Sequence, residues 1–352
     1  MNPTTSALLD LARIASALIV YAGHCVMHWN PPMQGLLTAP SHRAVIVFFV
    51  ISGYVIAFST LGNRRANIRE YAAARLSRLY SVVIPALLLT LLLQWIGSLL
   101  YPEPYREVSR GMDAARYVLA ALFLQNAWML SAAPPTNLPL WSLSYEFWYY
   151  VIFGACVLPR STLAKLLCAG AAAAMAGPNI LLLMPAWLAG AVLFASKNAR
   201  SWTPVEGAGA AAVGLAAMVA ASTVLADLPF PLGQPRFFWS ASFISDWIFA
   251  IGVALVIGAV DTIRYPLGTP RTVALLRLFG DYTFPVYLYH YPVIFFFTAV
   301  TGFYAQSFAS AVVPALAILI IVIGLSRVTD HFRRRWRQAF TRLICKNPPR
   351  LT

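Results

Sequence analysis

The sequence predicts an all-α polytopic membrane protein of about ten transmembrane helices, with both termini in the cytoplasm. Three observations carry that prediction. Sixty per cent of the residues are hydrophobic and 11% are charged, apolar runs of about 18 residues recur from end to end, and the basic residues gather in short segments between those runs.

The first span is expected at 8–27. The residues before it lack a basic n-region, and Asp10 and Arg13 interrupt what would be the apolar core of a signal peptide, so this span is expected to be retained. Further spans follow at 44–61 and 80–100, the latter built around Ile84 to Leu100. Asp113 to Leu130 is apolar enough to span, but spanning would break the parity of the charged loops. It therefore reads as a re-entrant or outer-surface helix ahead of the Pro134-Pro135 break. The remaining spans are expected at 140–158, 164–178, 180–196, 205–226, 240–260, 279–299 and 309–326. The fifth, 164–178, is short and alanine-rich, which suits close packing against neighbouring helices. The chain thus reads as one membrane domain, 1–326, and a basic cytoplasmic tail, 327–352. It shows no soluble domain, internal repeat or low-complexity linker.

Charge sets the orientation. With ten spans, 21 basic residues fall on one side, including five arginines in 62–79 and eight basic residues from Arg327 onward. Only Arg43, Arg106, Arg110, Arg116 and Arg236 fall on the other. Lys and Arg accumulate in cytoplasmic loops, so both termini are assigned to the cytoplasm. The net charge of +14 is then a matter of topology and implies no nucleic-acid partner. The four cysteines, Cys25, Cys156, Cys168 and Cys345, lack metal-ligand spacing and are scattered in depth, so neither a metal site nor a disulfide framework is expected.

Ionisable residues inside spans mark candidate chemistry, because each costs about 2.5 to 3.5 kcal/mol at the centre of a membrane helix. Arg13 and His24 are eleven residues apart. At about 100° per residue they share one helical face, about 16 Å apart along the axis. Asp10 lies one turn before Arg13 and can pair with it. Glu146 is about 9 Å into a span entering from outside, near the expected depth of His24, and Asp246 is at a similar depth. An outer-leaflet layer of base and acid is expected from these three. His290, near a midplane, reads equally as a residue bonding across helices. Trp141, Trp148, Tyr149 and Tyr150 read chiefly as an interfacial aromatic belt, and on composition alone Arg75 and Arg78 read chiefly as topological charges.

Several segments together resemble the membrane-bound acyltransferase 3 family over nearly the whole chain. Leu9-Asp10-Leu11-Ala12-Arg13 followed by His24 resembles its Arg-x10-His first-span motif. Phe48-Phe49-Val50-Ile51-Ser52-Gly53 resembles FFxxSG, and Arg75-Leu76-Ser77-Arg78 resembles Arg-x-x-Arg. Trp141-Ser142-Leu143-Ser144-Tyr145-Glu146 resembles WSLSxE, and Tyr287-Leu288-Tyr289-His290-Tyr291-Pro292 resembles a late Tyr-Leu-x-His-x-Pro segment. Each motif is short, but five in family order are specific. Two positions depart from the pattern: Ser81 stands where proline commonly follows Arg-x-x-Arg, and Ile46 stands where an acid often precedes FFxxSG.

The resemblance implies a multi-pass enzyme of the inner (plasma) membrane. It would transfer an acyl group, acetyl by default, from cytoplasmic acyl-CoA to a hydroxyl of a cell-envelope or exported glycan. An exopolysaccharide or lipopolysaccharide sugar is the leading acceptor. Arg75 and Arg78 would hold donor phosphates and Arg13 would help position the donor, since guanidinium forks bind phosphates bidentately. A pantetheine arm of about 15 to 20 Å would bring the thioester near His24. His24 would act as general base with Glu146 orienting or stabilising its imidazole, or alternatively would form an acyl-imidazole. Asp10, Ser52, Trp141 and His290 would be supporting residues. The expected partners are membrane lipid, acyl-CoA as donor substrate, a carbohydrate acceptor and polysaccharide-assembly proteins, and no permanently bound cofactor is expected. The alternative from another class is a multi-span transporter or flippase of a glycan or lipid-linked substrate.

Overall fold

The computed structural model describes residues 2–30, 33–63, 67–235, 237–263 and 268–344, apart from the side chains of 34, 330–334 and 337. Among the described residues every regular element is helical. Twelve α-helices follow one another: α1 (Pro3–Trp29), α2 (Gln34–Leu61), α3 (Ile68–Leu100), α4 (Pro102–Val108), α5 (Asp113–Ala121), α6 (Leu140–Val157), α7 (Thr162–Ala176), α8 (Pro178–Ala195), α9 (Pro204–Ser222), α10 (Phe243–Val260), α11 (Pro270–Thr301) and α12 (Phe308–Ile344). Each of the ten expected spans coincides with one of them. Eight are long and apolar enough to cross a membrane: α1, α2, α3, α8, α9, α10, α11 and α12. The protein is therefore an all-α polytopic membrane protein. Of the other two, α7 has only 15 residues. The first half of α6 carries Ser142, Ser144 and Glu146, and most of its residues are buried in protein, which relieves it of the need for a lipid-compatible surface.

Several boundaries differ from expectation, α2 and α11 among them, which begin at Gln34 and Pro270 and not at 44 and 279. The chain from Asp113, expected as a re-entrant or outer-surface helix, is helical only over the nine residues of α5 and then turns, and at about 1.5 Å per residue that is far too short to cross. Helix α3 starts at Ile68, capped by the Asn67 side chain on the Glu70 amide, so Arg69, Arg75 and Arg78 lie on the helix and not in a loop. The alanine-rich run ahead of Arg75 has high helix propensity, so the helix begins well before the apolar run. Helix α12 likewise continues through the basic segment as far as Ile344. Phe340 stacks on Tyr80 of α3 with ring centroids 5.5 Å apart, so this part of the expected tail is docked. Arg64, Arg65, Arg236, Arg264, Cys345, Lys346 and Arg350, all used in the charge or cysteine reading, lie outside the described residues, while Cys25, Cys156 and Cys168 carry free thiols.

The chain divides into two compact units whose boundaries cut through α1 and α11: residues 1–20, 35–64 and 176–283 form the first, and 21–34, 65–175 and 284–352 the second. In the first unit, two helix crossings are close enough to require glycine. A methyl on Gly53 of α2 would strike the Trp187 carbonyl of α8, and one on Gly190 of α8 would strike the Val50 carbonyl of α2. Gly214 of α9 and Gly252 of α10 stand in the same reciprocal relation. Without a hydrophobic drive between helices in lipid, such backbone contact supplies the van der Waals attraction. Ser52 accepts a hydrogen bond from the Trp187 indole N–H at 3.2 Å. The Ser52-Gly53 pair therefore joins α2 to α8.

The second unit packs α12, α4, α5 and α6 on α3. Trp141, Trp148, Tyr149 and Tyr150 of α6 are all buried, which corrects the aromatic-belt reading. An interfacial belt needs lipid-facing rings, whereas these fill the interior around a helix with aromatic residues on every side. Pro292 of α11 has no N–H to offer the Leu288 carbonyl, and the Asn137 side chain donates to that carbonyl at 3.1 Å instead.

Candidate active site

His24 and His290 meet inside the second unit. His24 Nδ1 lies 2.7 Å from His290 Nε2, and the rings are stacked with centroids 5.0 Å apart. The far nitrogen of His290, Nδ1, lies 2.8 Å from the Val286 carbonyl oxygen one turn back on α11. A carbonyl can only accept, so His290 Nδ1 carries the proton, and in a neutral ring Nε2 is then an acceptor. His24 must donate to it through Nδ1–H, which leaves Nε2 of a neutral His24 as a lone-pair base. The hydrogen-bond network thus selects the tautomer.

Around this pair stand aromatic rings. Tyr21 is edge-on to His290 at 5.6 Å, and Tyr291 is edge-on to both His24 and His28 at 5.0 Å. His28 Nε2 is buried and has no protein hydrogen-bond partner. Sequence reading passed over His28, although its i, i+4 spacing from His24 places both on one face. Tyr287 and Tyr291, at i−3 and i+1 from His290, were seen only as motif letters.

A polar trail leads from the histidines to Arg75. The Tyr287 ring is 6.3 Å from that of His290, and its hydroxyl is 2.9 Å from Ser142 Oγ. Tyr287 is within electrostatic reach of Glu146, and Glu146 accepts a hydrogen bond from the Tyr150 hydroxyl one turn along α6. Arg75 lies within electrostatic reach of Tyr150, Arg78, Tyr71 and Glu146, and its guanidinium lies 5.7 Å from the centre of the Tyr71 ring. Tyr71 in turn donates to the Tyr150 carbonyl at 2.9 Å. His24 Nδ1 is thus engaged by His290, while Glu146 accepts from Tyr150. Glu146 is a link between Tyr287 and Arg75, where direct orientation of His24 was expected. Ser81, one turn after Arg78, bonds back to the Arg78 carbonyl at 3.0 Å. Trp141 is edge-on to Tyr145 at the start of α6.

In the first unit, Arg13 Nη1 is 3.4 Å from Asp10 Oδ1 on the preceding turn of α1. Arg13 and His24 both lie on α1, Arg13 in the first unit and His24 in the second. Asp246, expected in the acid–base layer, is instead fully buried in an ion pair with Arg43, and His42 Nε2 lies 3.0 Å away. Arg43 also donates to Ser245 Oγ at 2.5 Å and to the Ala221 carbonyl at 2.7 Å. Arg43 had counted only as an outer-loop charge, but helix α2 begins nine residues before it and carries it into the interior. Among the described residues no cluster of three or more His, Cys, Asp or Glu side chains is arranged to hold a metal ion.

Residues 7–329 match the family model described as an acyltransferase domain. The chain is also similar to an O-acetyl transferase of Shigella phage Sf6, 29% identical over 158 residues, which is 42% of this chain and 45% of the phage protein. The match therefore spans less than half the length of that relative. No solved structure matches the chain.

Proposed function

The chain belongs to the acyltransferase 3 family and is a membrane-embedded acyltransferase, and on that footing we propose that it transfers an acyl group, acetyl by default, from cytoplasmic acyl-CoA to a hydroxyl of a cell-envelope or exported glycan. The observation that carries this reading is the stacked histidine pair, which leaves His24 Nε2 as the base. The name of the phage relative supports acetyl as the group and oxygen as the acceptor atom. A carbohydrate acceptor rests on the motif resemblance alone. Family membership weighs against the transporter alternative.

In this mechanism the acceptor hydroxyl oxygen attacks the thioester carbonyl while its proton passes to His24 Nε2. The tetrahedral intermediate collapses by breaking the C–S bond, and the proton on His24 neutralises the departing CoA thiolate. His290 holds His24 through Nδ1–H at every stage, which makes it a positioning residue. Arg75 and Arg78 hold donor phosphates, Arg13 positions the donor, and Glu146 keeps the Arg75 side chain and Tyr150 in register. His28 Nε2 is available to a second hydroxyl of the acceptor.

Purified protein given acyl-CoA and a glycan acceptor is expected to release free thiol. Arg75→Ala should weaken acyl-CoA binding by about 1.5 to 3 kcal/mol, the worth of a hydrogen bond to a charged group. Arg75→Lys should recover only part of the loss, because a point charge replaces a planar fork. Thiol release at the parent rate and affinity in a folded Arg75→Ala protein would return the motif to a purely topological role.

Both termini are proposed to lie in the cytoplasm of the plasma membrane, on the strength of the basic asymmetry. Single cysteines at Gly233 and Asn198 test this in intact cells. An impermeant maleimide should label the first directly and the second only after permeabilisation, and the reverse pattern would invert the topology.

A further inference from the structure

Where α8, α9 and α10 end near segments 196–204 and 261–263, the first unit carries a cleft of about 750 Å³. Its charged lining residues are Lys197, Arg200 and Asp261, two cations against one carboxylate. One oxygen of that carboxylate, Asp261 Oδ1, accepts from Thr5 Oγ1 at 2.5 Å, while Oδ2 is buried with no hydrogen-bond partner among the described residues. Lys197 Nζ and Arg200 Nη2 stand 3.5 and 3.6 Å from the carboxylate, in ion-pair range but too loose for strong hydrogen bonds.

Arg200 is the unusual member. Its side chain is only 16% exposed, yet Nε and Nη1 find no protein acceptor. The guanidinium is held 5.1 Å from the centre of the Trp202 ring, and Gly258 makes room for it, since a methyl there would collide with Nη1. Leaving buried donors unsatisfied is costly, so a fork fixed this way invites an external oxyanion. The α9 helix terminus does not supply the attraction, because its capping box takes up the Thr203 and Glu206 amides and sets the Glu206 carboxylate there. Beyond the cations the wall is apolar, with Ala211 and Val256 facing the cleft.

We infer that this cleft binds a phosphate ester bearing an aliphatic arm, with the phosphate on Lys197 and Arg200 and the arm along the α9 and α10 wall. Two sources share that chemistry: an anionic phospholipid, and CoA with its pantetheine chain. The cleft volume lies within the range of about 300 to 1,000 Å³ usual for small-molecule sites. The inference concerns binding, and CoA held here would occupy a site additional to the donor site proposed on Arg75 and Arg78.

The full-length protein in detergent is titrated separately with phosphatidylglycerol and with CoA, and occupancy is read by native mass spectrometry against a phosphatidylcholine control. Arg200→Gln should weaken one of the two probes about tenfold or more, as expected for losing a charge-assisted hydrogen bond. Lys197→Ala, whose side chain is 35% exposed, should weaken the same probe by a smaller factor. The probe affected names the source. If Arg200→Gln does not fold, Lys197→Ala decides alone. Unchanged affinities for both probes in both variants would overturn the inference, whereas CoA binding lost only in Arg75→Ala, with phosphatidylglycerol weakened by Arg200→Gln, would name the lipid as the source.

Discussion

His24→Ala is expected to lower acyl transfer by about a hundredfold to ten-thousandfold, the usual contribution of a positioned general base, while acyl-CoA binding survives. The expectation follows from the histidine geometry. Only Nε2 of His24 is left as a lone-pair acceptor, because Nδ1 donates to His290, whose own proton is directed at the Val286 carbonyl. Removing His290 should act through the same route but more weakly. His290→Ala frees the imidazole of His24 to rotate and to change tautomer, and losing an orienting partner of this kind costs about tenfold to a hundredfold in rate. The loss should fall on kcat with little change in KM, and the pH profile of kcat should shift, which a purely packing role for His290 would not produce. Glu146→Gln distinguishes the two ends of the polar trail. Its effect should appear in donor KM if the carboxylate organises Arg75, and in kcat if it reaches the histidines through Tyr287. A folded His24→Ala protein that transfers acyl groups at the parent rate would remove His24 from the chemistry, and a burst of thiol release without acceptor in the parent would favour the acyl-imidazole route.

Arg43→Ala is expected to destabilise the first unit by about 3 to 5 kcal/mol, because it strands a buried carboxylate. Asp246 is 0% exposed and the Arg43 side chain only 9%, and the pair ties α2 to α10 while Arg43 reaches the last turn of α9 through the Ala221 carbonyl. His42, 3.0 Å from Asp246, cannot fully replace the lost guanidinium, since one ring nitrogen cannot also reach the Ala221 carbonyl and Ser245 as Arg43 does. Asp246→Asn should cost less than Arg43→Ala if the amide keeps the Ser245–Arg43 network in place. Replacing both members by apolar residues of similar volume, Arg43→Met with Asp246→Leu, should recover most of the stability, because desolvating the pair consumes much of its Coulomb attraction. Denaturation midpoints of the purified variants provide the measurement. Equal midpoints for the parent and Arg43→Ala would show the ion pair to be energetically idle.

Much of this protein is written in its local sequence. The helical class and the positions of the spans follow from long apolar runs, because a lipid-exposed backbone must satisfy its own hydrogen bonds within each segment. That Asp10 falls beside Arg13 follows from a three-residue helical spacing, and the shared face of Arg13 and His24 follows from an eleven-residue one. Other features are non-local and had no such signal. Nothing in the apolar pattern distinguishes a buried aromatic helix such as α6 from one that anchors at an interface, because both are rich in Trp and Tyr. The alanine-rich and basic flanks of α3 and α12 read as loop and tail by charge, yet helix propensity and docking on neighbouring helices extend them. The partners of the ionisable residues were the least legible. Depth alone grouped His24 with Glu146 and Asp246, but rotation about each helix axis decides which side chains meet. Packing across 266 positions of chain brings His290 to His24, and across 203 positions brings Arg43 to Asp246.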